Sequence, residues 1–138
     1  MASQFSTFQS ELRVRPDDID MNGHVHNPKY LDYVLTARFD QMERCYRMSM
    51  SDFLDRGFNW FVKTAHIEHK RPLFLGETVI IRTRVAEVRR REVRVEFEIL
   101  KSENGKISAD GYCDYTMVDK NTGRGVVIPE DIVEKYSI

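Results

Sequence analysis

Asp17-Asp18-Ile19-Asp20-Met21-Asn22-Gly23-His24-Val25-His26-Asn27-Pro28-Lys29-Tyr30 is the stretch on which the reading of this chain turns. Three acids, two histidines, two asparagines and a glycine fall within its fourteen residues. Near its end stands Asn27-Pro28, where a helix is expected to begin, with asparagine as the cap and proline at the first helical position. A helix N-terminus presents unpaired backbone N–H groups and a partial positive charge, so negative charge developing on a carbonyl oxygen is stabilised there. Carboxylates and an imidazole beside such an end are placed to attack an acyl carbon, or to activate water against one.

Upstream, Phe8, Ser10, Leu12 and Val14 alternate with Gln9, Glu11, Arg13 and Arg15, the period of a half-buried strand, and Pro16 ends it. Downstream, Leu31, Val34, Leu35, Phe39, Met42 and Cys45 recur at spacings of three and four, which predicts a helix from Pro28 to about Arg47. Met48 to Arg56 reads as a short second helix entered at Ser49 or Ser51 and stopped by Gly57. The remainder reads as strand, from Asn59 to Lys70, from Glu77 to Val88 and from Glu92 onward, with a short last strand at Gly125 to Ile128. A terminal helix is expected from Pro129 to Lys135.

Charge sets the register of one hairpin. If Val88 pairs with Glu92 across a loop of Arg89, Arg90 and Arg91, then Arg82 faces Glu98, Arg84 faces Glu96, and the apolar positions share the other face. The next turn, Glu103-Asn104-Gly105, has glycine where a left-handed residue is needed, and it sets Ala109, Gly111 and Cys113 opposite Ile99, Phe97 and Val95. That row of small residues is expected to let a helix approach the sheet closely. The order of elements is an α+β arrangement, a curved antiparallel sheet packed around one long helix. One helix covers one face, so the other face and the sheet edges are expected to serve a homodimer or homotetramer.

The 138 residues are expected to form a single domain, 1–138, with no linker. Lys and Arg number 21 against 22 Asp and Glu, a balance that argues against general affinity for nucleic acid or membrane surfaces. The longest apolar runs, such as Trp60-Phe61-Val62, are three residues, far short of the ~20 a spanning helix needs. Met1 to Phe5 lacks a signal-peptide layout, so a cytoplasmic location is expected, without membrane insertion. Cys45 and Cys113 fit neither a disulfide framework nor a close-spaced metal motif and read as buried small hydrophobes.

Taken together, these residues resemble the hotdog-fold acyl thioesterases, which include 4-hydroxybenzoyl-CoA thioesterase. The resemblance spans nearly the whole chain. Its most specific part is Asp18-Ile19-Asp20 with Gly23, Asn27 and Tyr30, supported by Arg71-Pro72-Leu73, Gly76-Glu77 and the basic hairpin. It implies that Asp20 is the catalytic nucleophile or general base and that backbone N–H groups around Asn27 form the oxyanion hole. It also implies that Arg89, Arg90 and Arg91 contact coenzyme A phosphates. Thioester hydrolysis asks only for a nucleophile, an oxyanion site and a dry acyl slot, so no metal or redox cofactor is expected. Asp20 through Asn27 is also similar to the motif of plant acyl-carrier-protein thioesterases, which would add Asn22 and His24 to the site, with acyl-CoA or acyl-ACP as substrate. Gly23 and His26 depart from that plant pattern.

Each assignment has a plainer reading. Asp20 is of a type common in turns before helices, Asn22 and His24 suit a surface loop bonding to itself, and three arginines suit a solvated hairpin tip. His24 and His26 beside Asp18 and Asp20 have the chemistry of zinc ligands, yet they lack a distant partner cluster. His66 and His69 read as half-buried structural histidines on opposite strand faces. Tyr30, Tyr33, Phe58, Trp60 and Phe61 read as core more readily than as an acyl pocket. Outside catalysis, the same chain reads as an acyl-binding protein without turnover.

Overall fold

A computed structural model describes residues 5–138 of the chain. Strand β1 (Thr7–Arg13) leads through a single 3-10 turn at Pro16–Asp18 to helix α1 (Lys29–Arg44) and the short α2 (Met50–Asp55). Four strands follow, β2 (Phe58–His69), β3 (Thr78–Val88), β4 (Glu92–Lys101) and β5 (Ile107–Asp119), and then α3 (Glu130–Tyr136). The strands form one antiparallel sheet in the order β1-β3-β4-β5-β2. This is the hotdog arrangement that the resemblance implies.

Helix α1 buries Tyr30, Tyr33, Val34, Ala37 and Met42 against the sheet, as the spacing of its apolar residues requires. Polar side chains fix its position. Gln41 is fully buried, donates to Ser10 Oγ at 3.1 Å and to the Ile81 carbonyl at 3.4 Å, and accepts from the Thr83 hydroxyl. Ser10 in turn donates to Asp40 at 2.6 Å, so every member of this group has a partner. Helix α2 starts on a capping box in which Ser49 and Asp52 bond each other's backbone, and Gly57 leaves it at φ +86°.

The charge-based register holds through most of the first hairpin. Arg82 faces Glu98 and Arg84 faces Glu96, with Arg84 and Glu96 in contact. Beyond Val85, however, Ala86 is inserted as a bulge, so Val88 pairs with Val93 rather than with Glu92. The bulge sets Glu87 opposite Arg94 and keeps Val88 on the apolar side. In the second hairpin Ile99, Phe97 and Val95 face Ala109, Gly111 and Cys113 as expected, and Gly105 has φ +71°.

The use of the small-residue row differs from the expectation. The backbone of α1 comes nearest to β1 and β3, not to β5. Gly111 instead admits the neighbouring strand, for a Cβ there would sit 1.8 Å from the His66 carbonyl oxygen. Three further expectations are corrected. Helix α1 starts at Lys29 with Pro28 in the cap position, so Asn27 is not its cap, because a turn from His26 to Lys29 precedes it. Gly125 to Ile128 is not a strand, since only Gly125 bridges to Val118. His66 and His69 are both exposed, because β2 is an edge strand paired on one side only. Among the described residues no helix is long and apolar enough to cross a membrane.

Candidate active site

The turn between the first strand and α1 is held at its base by Asp18. That carboxylate is 2% exposed, accepts from the Tyr33 hydroxyl at 2.6 Å and from Arg15 Nε at 3.2 Å, and lies 4.0 Å from Lys29 Nζ. Burial by itself would raise the Asp18 carboxyl, but the hydrogen bonds from Tyr33 and Arg15 and the two nearby cations hold it below the usual carboxylate range. Burial and the same bond push the Tyr33 hydroxyl well above an ordinary phenol. The Asp18 carbonyl accepts from the His26 N–H, and the Val25 N–H bonds the Leu73 carbonyl, so both arms of the turn are tied down. Asp18 is therefore an anchor whose Oδ2 holds both hydrogen bonds while Oδ1 faces the more distant Lys29 ammonium.

Asp20 stands at the top of this turn and is half-buried. Its Oδ1 accepts from the backbone N–H groups of Asn22 at 2.9 Å and His24 at 3.2 Å, while its own N–H donates to the His24 carbonyl. Gly23, at φ +79°, closes the loop. Oδ2 of Asp20 has no partner among the described residues. The arrangement is an Asx-type turn, as the plainer reading has it, and it leaves one carboxylate oxygen free and fixed in direction.

The neighbours are arranged unevenly. His24 lies next to Asp20 through its backbone, but its ring packs edge-on to Phe74 at 5.1 Å and meets no carboxylate. The Asn22 side chain is exposed and has no hydrogen-bond partner among the described residues. The Asn27 N–H, at the entrance to α1, likewise meets no acceptor among them. Among the described residues no three histidine, cysteine or acidic side chains form a metal-holding group.

Phe74 and Leu75, which the sequence reading passed over, project beside the turn. Phe74 bridges backbone with His24 and packs on its ring, and Met21, Phe74 and Leu75 are all exposed apolar side chains of the turn and the segment paired with it. The readable signal was the pair of large apolar residues inside Pro72-Leu73-Phe74-Leu75-Gly76, a segment that has to expose some of them. Tyr30 is buried and its hydroxyl accepts from the Leu73 N–H at 3.1 Å, so it braces this segment.

Arg89, Arg90 and Arg91 are exposed at the tip of the β3–β4 hairpin. Arg89 already pairs with Glu87 at 3.0 Å and Glu92 at 3.4 Å, whereas Arg90 and Arg91 have no acidic partner among the described residues. This tip lies at the opposite end of the sheet from Asp20. The start of β3 lies beside Arg13 and follows Phe74, and its eleven residues then span roughly 33 Å before the arginines.

A family model described as the Thioesterase-like superfamily matches residues 14–136. The long-chain acyl-CoA thioesterase FadM of Escherichia coli is 22% identical over 127 residues, which are 92% of this chain and 95% of that protein. A Staphylococcus aureus structure described as a DHNA-CoA thioesterase has a TM-score of 0.88 at 21% identity, covering 95% of this chain and 89% of that one. A second S. aureus protein, SAV2348, solved in complex with CoA, has a TM-score of 0.84 at 16% identity, with 98% and 84% covered. The two structural likenesses speak to the fold.

Proposed function

The chain belongs to the Thioesterase-like superfamily and is a thioester hydrolase, and from that premise we propose that it cleaves acyl-CoA at Asp20. The observation that carries this reading is a half-buried carboxylate, in the turn that precedes α1, with one oxygen held by two backbone amides and the other open. Oδ2 either attacks the acyl carbon, expelling the CoA thiolate and leaving a mixed anhydride for water to open, or takes a proton from a water that attacks directly. The Asn27 N–H faces the charge that develops on the thioester oxygen. His24 and Asn22 border the same space as proton shuttle and orienting amide. The acyl group enters over Met21, Phe74 and Leu75.

FadM and the CoA-bound S. aureus protein support CoA as the carrier. Arg90 and Arg91 take its phosphates, with Arg89 partly neutralised by its own glutamates. The length of sheet between these arginines and Asp20 of one chain supports a homodimer or homotetramer in which a site is shared between copies. The open edge of β2, with Phe61 62% exposed, supports the same reading. The chain acts as one domain, in the cytoplasm.

Free-thiol release from short, medium, long and aryl acyl-CoAs, with wild type and Asp20→Asn in parallel, tests the assignment. Asparagine keeps the Oδ1 acceptor and removes the charge, so the expected result is an unchanged melting temperature and at least a hundredfold loss of rate, about 2.7 kcal/mol. Absence of thiol release from every CoA ester overturns the carrier, and cleavage of acyl-ACP alone would assign it instead. Full activity in Asp20→Asn overturns the role of the carboxylate.

A further inference from the structure

A cavity of about 250 Å³ lies between the C-terminal half of α1, the two short helices and the sheet. Met42, Trp60, Val95 and Ile132 are among its walls, and Phe39 and Val62, 54% and 39% exposed, mark its mouth. Such a lining suits an apolar chain. One lining residue is out of keeping with it. Among the described residues Arg38 is the only charged side chain around the cavity, and it is 7% exposed.

Arg38 has almost nothing to hold. Of its five N–H donors, one makes a long bond of 3.4 Å to Thr83 Oγ1, and the guanidinium lies 5.4 Å from the centre of the Tyr46 ring. No carboxylate lies within ion-pair distance among the described residues, and residues 1–4, Met-Ala-Ser-Gln, bring none. A buried guanidinium without an anion is costly, so its presence on a cavity wall points to a ligand that supplies one. The Tyr115 hydroxyl, also on this wall, is buried and has no oxygen or nitrogen partner, only the Cys113 thiol beside it. Burial holds that hydroxyl protonated well above the usual phenol range, so it is a donor at neutral pH.

We propose that this cavity binds a carboxylate carried on an apolar chain, with the carboxylate seated on the Arg38 fork and the Tyr115 hydroxyl and the chain against the apolar wall. A guanidinium matches a carboxylate by two parallel N–H bonds, and a single positive charge neutralises a single negative one. A phosphate dianion would be left half-compensated among apolar walls. Two sources carry this chemistry: the free acid released by hydrolysis, and an acyl substrate with a second, distal carboxylate. Only the kinetic arm of the test rests on the thioesterase reading.

Trp60 is the only tryptophan of the chain and lines the cavity, so its fluorescence reports occupancy. Wild type titrated at pH 7.5 with decanoate and with decan-1-ol is expected to bind the anion at least tenfold more tightly. Arg38→Met should abolish that preference while still binding the alcohol, and Tyr115→Phe should reduce it severalfold. Equal affinity for acid and alcohol in wild type overturns the proposal without any variant, and so does a preference that survives in Arg38→Met. Thiol release from decanoyl-CoA and its ω-carboxylated counterpart then separates the sources. A tenfold higher kcat/KM for the ω-carboxylated ester, lost in Arg38→Met, assigns the substrate; faster cleavage of decanoyl-CoA with inhibition by decanoate assigns the product. Decanoate binding without cleavage of any ester keeps the slot and removes the thioesterase reading.

Discussion

The two ends of α1 solve opposite problems with charge. At its N-terminal side the acids of the turn are held by donors, with Asp18 enclosed by Tyr33, Arg15 and Lys29, and Asp20 gripped by main-chain amides. Along its C-terminal half the charge of Arg38 sits in an apolar wall with one long hydrogen bond. In the first arrangement each carboxylate has donors within the chain, and the second asks for something from outside. The difference separates what stabilises the fold from what waits for a ligand.

Removing Asp18 should have the largest effect on folding. Asp18→Ala leaves the buried Tyr33 hydroxyl without its acceptor and Arg15 without its partner, and is expected to lower stability by about 3 kcal/mol in urea denaturation. A loss below ~1 kcal/mol would show that the turn is anchored elsewhere. The sign with pH follows from the lowered carboxyl: its contribution is complete above the ordinary aspartate value of about 4 and is lost as pH falls through the lower folded value. Wild type and Asp18→Asn should therefore differ at neutral pH and converge only in strong acid.

A smaller change of opposite sign is expected at the other end. Arg38→Met replaces a lone buried cation by a shorter, unbranched apolar chain, and should raise stability by about 1–2 kcal/mol in the same measurement. If Arg38→Met destabilises as Asp18→Ala does, the contrast between the two ends fails. The smallest effect belongs to the hairpin tip. Arg90→Ala and Arg91→Ala should each raise KM for acyl-CoA by about threefold, less so at high salt, and Arg89→Ala should do less because Glu87 and Glu92 already share its charge.

Much of this was readable from residue order, and the misses have physical reasons. Cross-strand charge placed Arg82 and Arg84 correctly, and the same rule carried two residues further would have asked for the Ala86 bulge, since only the bulge sets Glu87 against Arg94. Asp20 stood out because its neighbours in space are also its neighbours in sequence. The cavity was hidden for the opposite reason: α1, β2, β5 and α3 contribute to it from across the chain. Only Trp60, of the five aromatic residues weighed as a pocket, lines it, while Tyr30 and Tyr33 are core. One clue was local. Arg38 falls midway between Val34 and Met42 on the apolar stripe of α1, a cation where the helical period calls for a hydrophobe.

Because main-chain amides, and no side chain, grip Asp20, the identities of Met21, Asn22 and His24 are free to change without moving the carboxylate. Met21 is 95% exposed and Asn22 is exposed as well, so their replacement carries little folding penalty. Selection, natural or in the laboratory, can rewrite the chemical surroundings of the open carboxylate oxygen while its position is inherited intact. A turn built in this way lets what surrounds the carboxylate change while where it stands does not.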